Sequence, residues 1–239
     1  MELKIKPVGD EALVAEFGNI IDEKINMRVH EMSEWLDGQH IKGVKELLPT
    51  FRSLMIFYSP DEIGYGELKK RLKKFKPDER KENEENKKVL LVPCCYGRDY
   101  GPDLSGMAKE LSLTEEEIIA LHCEKEYKIY MLGFLPGFVY LGGLDKRICI
   151  PRLETPRVSI PARSVGIGGD QTGVYPISSP GGWRLIGSTP LEFYDPRRSE
   201  PSLCKAGEYI RFVPVNKYEY EVIRKDVIEG TYRIEIVRG

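Results

Sequence analysis

With 239 residues, 36 basic against 38 acidic side chains and a formal net charge of -2, the chain carries no global field that would draw it to nucleic acid or to an anionic membrane. A hydrophobic content of 41% is enough for one large or two small cores. No apolar run approaches the ~18 residues of a membrane span, and the start at Met1 lacks a signal-peptide layout, so a cytoplasmic setting is expected, with the five cysteines free.

Leu3 and Ile5, then Ala12 to Phe17, alternate as strands do. Ile25, Val29, Met32 and Leu36 recur at helical spacing, and the helix they predict stops at Gly38. A strand follows near Ser53 to Tyr58. After Pro60 a second amphipathic helix turns Leu68, Leu72 and Phe75 inward and Lys69, Lys70, Arg71, Lys73 and Lys74 outward. The order strand, strand, helix, strand, strand, helix predicts a small α/β plait of the ferredoxin-like kind over residues 1–76. Residues 77–88, PDERKENEENKK, hold no apolar side chain beyond the proline and read as an exposed linker.

Residues 89–239 form the second predicted domain. Val89 to Val92 reads as a strand, while Asp103 to Leu111 and Thr114 to His122 read as helices, the second opened by a capping box of Thr114 and Glu117. Short strands between turns then dominate: Tyr127 to Met131, Val165 to Gly168, Trp183 to Ile186, Leu191 to Tyr194, Tyr209 to Val215 and Tyr232 to Val237. That pattern predicts a closed β-barrel with a few helices, and an α+β fold class for the chain as a whole.

Gly133 to Pro190 packs eleven glycines and seven prolines into 58 residues, threaded with Phe134, Phe138, Tyr140, Tyr175 and Trp183. Polar composition would make such a stretch a flexible linker; the aromatic side chains make it ordered, tightly turning structure around a concave surface. Phe134, Pro136 and Phe138 are expected as a pocket wall, Trp183 as its floor, and Gly181 and Gly182 as a turn that exposes backbone amides. Gln171 and Thr172 could read a small amide, with Tyr175 beside them; the alternative for all of these is a barrel corner with tryptophan in the core. Six cations (Lys146, Arg147, Arg152, Arg157, Arg163, Arg184) face three acids in this stretch. Arg152 and Arg157, each after a proline, either capture an anionic ligand or pair with surface acids.

No Gly-x-Ser-x-Gly elbow occurs, Cys149 and Cys204 have no histidine nearby in sequence, and the three histidines lie at no metal-ligand spacing. Neither a self-contained nucleophile nor a metal site is expected. Gly182 to Thr189 has the glycine spacing of a phosphate loop, but Ser188 stands in the lysine position. His122 closes a helix, where a protonated imidazole would favour the C-terminus and gain a raised pKa; the alternative is a polar site role.

Four segments in fixed order, GFLPGFVYLGGL, PRLETPRVSIPA, QTGVYP and SPGGWRLIGSTP, closely resemble the allophanate hydrolase subunit 1, or KipI-like, family, and the likeness runs from about Val89 to Val215. His122 and the two Pro-Arg pairs fall within that pattern, and Arg163 stands where the family has glycine. The resemblance implies a cyclophilin-like, carboxyltransferase-type barrel. It also implies a B-type subunit, inactive alone, that works with C-type and A-type subunits to cleave 5-oxo-L-proline to L-glutamate with ATP and accompanying magnesium. ATP would then be held on an unfamiliar surface or at the interface with another subunit. The same family also implies two alternatives: an inhibitor that docks a sensor histidine kinase, and a urea- or allophanate-related carboxyltransfer subunit.

Overall fold

The computed structural model describes residues 3–20, 22–77 and 87–238, and the chain divides into two compact units, Met1–Asn83 and Glu84–Gly239. Most of the expected linker, 77–88, lies outside the described residues.

The first unit runs β1 (Lys4–Val8), β2 (Ala12–Glu16), α1 (Glu23–Asp37), β3 (Val44–Pro49), β4 (Ser53–Tyr58) and α2 (Tyr65–Leu72). Its sheet has the order β1-β2-β4-β3, antiparallel throughout. Alternation turns Leu13, Ala15, Leu54, Ile56 and Tyr58 to one face, where Ile25, Val29, Met32 and Leu36 of α1 and Leu68 and Leu72 of α2 complete a core. The Asp22 carboxylate accepts from the amides of Lys24 and Ile25 and starts α1, which ends at Gly38.

The second unit contains β5 (Lys88–Tyr96), α3 (Leu104–Leu111), α4 (Glu115–Glu124), β6 (Tyr127–Leu132), β7 (Val139–Gly142), β8 (Arg157–Ile160) and β9 (Ser164–Gly168). It continues through β10 (Gln171–Val174), β11 (Ser179–Gly181), β12 (Arg184–Ser188), β13 (Tyr209–Pro214), α5 (Lys217–Glu229) and β14 (Ile236–Arg238). The strands follow the order β12-β9-β10-β7-β6-β13-β5, and β12 pairs back onto β5 through Gly187 with Tyr96 and Ser188 with Cys95, which closes a seven-stranded barrel. β14 pairs with the first residues of β5. β13 and β5 are parallel. Val92, Ile129, Leu141, Val165, Ile167, Ile186 and Phe212 fill the interior, continuous with Leu104 and Met107 of α3 and Ile118 and Leu121 of α4. β8 and β11 pair only with each other, as a ribbon outside the barrel ladder.

Two sequence expectations change. Leu191 to Tyr194 is a loop with a single bridge from Tyr194 to Ser202; Leu191 and Phe193 are both buried, which imitates strand alternation without a ladder. The strand expected over Tyr232 to Val237 begins only at Ile236, and the helix α5 before it, opened by an Asn216–Glu219 capping box, was not anticipated. No helix among the described residues is long and apolar enough to cross a membrane.

Candidate functional site

Strand alternation on β7, β9 and β10 builds the site. Val139, Leu141, Val165, Ile167 and Val174 turn into the barrel interior, and the residues between them, Tyr140, Gly166, Gly168, Gln171 and Gly173, therefore face outward. Three of those five are glycines, so the outer wall is bare backbone. The Trp183 indole lies against it: a Cβ at Gly168 would sit 2.5 Å from Cδ1 and Nε1, and one at Gly173 would sit 2.9 Å from Cζ3. Only glycine allows this approach.

Around the indole a second, smaller core forms from Phe138, Ile160, Tyr175 and Leu185, with Leu135 and Tyr140 at its margin. Its rings meet edge to face. Phe138 lies 5.1 Å from Tyr175 at 86° and 5.5 Å from Trp183 at 78°. Phe134 stands perpendicular to Phe138 at 5.6 Å, is 61% exposed, and has a positive φ of 66°. An exposed aromatic residue held in the left-handed region at the edge of a concavity is strained in the manner of ligand-contacting loops.

These side chains floor a cleft of about 310 Å³, and Arg152, Pro156, Pro180, Gly181 and Gly182 form the rest of its lining. The Arg152 guanidinium lies 5.8 Å from the Trp183 ring centroid. The four other arginines of the glycine-rich stretch are all engaged: Arg147 with Asp145 at 2.8 Å, Arg157 with Asp103 at 2.6 Å, Arg163 with Glu192 at 3.4 Å and Arg184 with Glu110 at 3.3 Å. Arg152 has no acidic partner among the described residues, which leaves it as the arginine of this stretch free to meet an anion. Burial pushes the Tyr175 and Tyr140 hydroxyls up from their ordinary pKa, against the pull of Arg152, so both remain protonated donors.

The candidates from sequence separate into three groups. Phe134, Phe138, Arg152, Tyr175, Gly181, Gly182 and Trp183 come together in the cleft, while Pro136 is exposed in the preceding turn and lies outside the lining. Gln171 and Thr172 do not act as a pair, because adjacent strand residues point to opposite faces. Gln171 is on the outer wall with its amide nitrogen buried and without a partner, and Thr172 is wholly buried inside the barrel. Arg157 is committed to Asp103.

His122 corrects an expectation. It is wholly buried rather than a solvated helix cap, and burial pulls its pKa down to about 3 instead of raising it. Its Nε2 lies 2.9 Å from Thr172 Oγ1, which donates to the Gly166 carbonyl; Nδ1 lies 2.8 Å from the Tyr96 hydroxyl. This sequence of donors fixes the neutral tautomer protonated on Nε2, with Tyr96 donating to Nδ1. The chain of bonds ties α4 and β5 to the inner side of the same wall that carries the cleft. Sequence reasoning missed Tyr140 as a site residue, although its place between Val139 and Leu141 signals an outward side chain.

Residues 3–204 match the family described as carboxyltransferase domain, subdomain C and D. The chain belongs to this family. It is 41% identical to the B-type subunit of 5-oxoprolinase from Bacillus subtilis, over 93% of this chain and 97% of that protein. A solved protein, TTHA0988, is 33% identical with a TM-score of 0.77 over 86% of this chain, and the match spans 40% of that longer chain. The urea carboxylase of Kluyveromyces lactis, 20% identical, superposes over 99% of this chain and 24% of its own with a TM-score of 0.79, a likeness of fold. The KipI-like resemblance of the four glycine-rich motifs therefore holds at the level of the family, and those motifs are the ones that build the cleft.

Proposed function

We propose that this chain is the B-type component of an ATP-dependent 5-oxoprolinase, cytoplasmic and inactive alone, and that its aromatic cleft holds 5-oxo-L-proline for cleavage to L-glutamate in a complex with A-type and C-type subunits. The observation that carries this is the Arg152 guanidinium, without an acidic partner among the described residues, over an aromatic floor. A small monoanion with one apolar ring needs that combination: the ring packs on Trp183 and Phe138 and the carboxylate meets Arg152. In this reading the hydroxyls of Tyr140 and Tyr175, which both line the cleft, donate to the lactam carbonyl. Polarising that oxygen weakens the amide resonance that protects the ring and readies its carbon for the water that the cleavage consumes.

The cleft does not fit magnesium triphosphate. Its lining contains one cation and no carboxylate, and among the described residues no group of His, Cys, Asp and Glu could hold a metal. In this proposal ATP and its magnesium therefore lie outside the cleft, on another surface or at the interface with a partner subunit. The N-terminal sheet has the order of a ferredoxin-like plait whose last strand has moved to the front of the chain, and we read that unit as such a permuted plait.

Arg152→Gln tests the site in the assembled enzyme. Arg152 is exposed, so the melting temperature should stay within the effect of about 0.5 kcal/mol usual for surface changes. The KM for 5-oxo-L-proline should rise at least tenfold, about 1.4 kcal/mol of lost interaction. An unchanged KM would move the lactam to a partner subunit.

A further inference from the structure

We propose that Asp103 and Arg157 are a positioning pair that holds the β8–β11 ribbon as a wall of the cleft. The inference rests on the cleft being the lactam site. The ribbon supplies Pro180 and Gly181, and Pro156 at its entry, to the lining, yet its strands hydrogen-bond to no strand of the barrel. Apart from its pairing with β11 and the Ser159 Oγ–Ser178 Oγ bond at 3.0 Å, β8 is held at its two ends. Ile160 is buried in the aromatic cluster, Val158 and Ser159 are exposed, and Arg157 reaches out to Asp103.

Asp103 is committed to this task with both oxygens. Oδ1 accepts from Arg157 Nη2 at 2.6 Å, and Oδ2 accepts from the Leu185 amide at 2.6 Å. It occupies the N-cap position of α3, where aspartate ordinarily accepts from the helix's own amides, but it makes no such bond. The carboxylate has been diverted from its helix to tie together α3, β12 and the ribbon. Arg157 lies opposite Gly181 in the ribbon register, and its charge reaches the Tyr175 hydroxyl. Nη1 is buried without a partner, but Arg157 lies outside the cleft lining and its Nη2 is held by Asp103, which makes it a support for the wall rather than a substrate ligand. Release of the pair frees one end of β8 and widens the cleft without touching the lactam carbonyl.

The test uses the enzyme assembled with its partner subunits and compares Asp103→Asn, Arg157→Met, the double variant and Arg157→Lys. Asn keeps an acceptor for the Leu185 amide, so the fold is spared. Each single variant should raise the KM for 5-oxo-L-proline about tenfold with kcat changed by less than about twofold. The double variant should be no worse than either single one, and Lys should recover part of the loss. Hydrogen exchange at residues 158–160, 179 and 181 should accelerate in every destabilised variant while the β9 and β10 amides stay protected. Effects that multiply in the double variant, or an unchanged KM in both singles, overturn the pair. If Asp103→Asn fails to fold, exchange in Arg157→Met decides: a ribbon as protected as in the parent refutes the proposal. Arg152→Gln separates the two claims, because a silent Arg152 removes the cleft as the lactam site, whereas an effect at Arg152 with silence at the pair removes the positioning role alone.

Discussion

Adding one carbon to Gly168 should lift the Trp183 indole off the barrel. The new Cβ would lie 2.5 Å from Cδ1 and Nε1 and 2.7 Å from Cε2, whereas nonbonded carbons rest about 3.5–4.0 Å apart. The ring must retreat by about 1 Å to restore that separation, and the direction open to it is the cleft of about 310 Å³. Overpacking of this kind costs about 1–3 kcal/mol, and each kcal/mol lowers the melting temperature by about 2–4 °C for a chain of this size. Calorimetry of Gly168→Ala would measure the loss. Fluorescence in a Trp35→Phe background would isolate Trp183, whose emission should shift red as the ring becomes more exposed. Trp183→Phe in the Gly168→Ala chain should cost less than it does in the parent, because the smaller ring relieves the clash. A parental melting temperature and unshifted emission in Gly168→Ala would refute the glycine wall as the support of the floor.

Arg163 holds a φ of 71° in the left-handed region, where glycine is at ease. Relief of that strain, about 1 kcal/mol, should offset the half-exposed ion pair to Glu192, so Arg163→Gly should melt no lower than the parent. Arg163→Ala keeps the strain and loses the pair, and should be less stable than the glycine variant by about 1 kcal/mol in urea titrations; equal stability of the two would remove the strain from the account. His122 sets a pH dependence. Its folded pKa of about 3 lies below the ordinary 6.5, so the full contribution of the neutral ring is present above pH 6.5. As pH falls below that value the unfolded chain takes up a proton that the folded one refuses, and stability declines by about 1.4 kcal/mol per pH unit. Urea midpoints at pH 7, 6 and 5 should fall accordingly, and His122→Gln should flatten that slope; a parent with flat midpoints would place the imidazole in contact with solvent.

How far the sequence alone reveals this molecule follows from how local each signal is. The stripe Ile25, Val29, Met32 and Leu36 and the Thr114–Glu117 box are complete within one element, and both helices form where those signals place them. α5 carries the same kind of box at Asn216 and Glu219, but its apolar face is thin, with Tyr220 its one buried residue, so a polar helix passes for turns and strands. The glycine and aromatic content of residues 133–190 announces a concave surface, and Trp183 is its floor. The roles of Gln171 and Thr172 are not legible as a pair, since which face each strand residue takes depends on a register set by β7 and β9. The partners of Arg157 and His122 lie 54 and 50 residues away in sequence, at Asp103 and Thr172, and no local pattern names them.

The order in which barrel strands appear along the chain has a consequence for synthesis. β5 is the first of them, and it is among the most apolar, with Val89, Leu90, Val92, Cys94 and Cys95 all buried. Its neighbours are residues 187–188, 209–214 and 236–238, all far downstream of it. While a ribosome is still translating the segment between, β5 emerges with both edges unpaired and can find no native partner, whereas every ladder of the first unit is complete by Tyr58. The interval in which a sticky strand waits is therefore set by elongation of more than half the barrel unit. Conditions that slow translation across residues 97–208 should expose nascent chains to aggregation and to chaperone capture through β5, long before any defect in the finished enzyme could be detected.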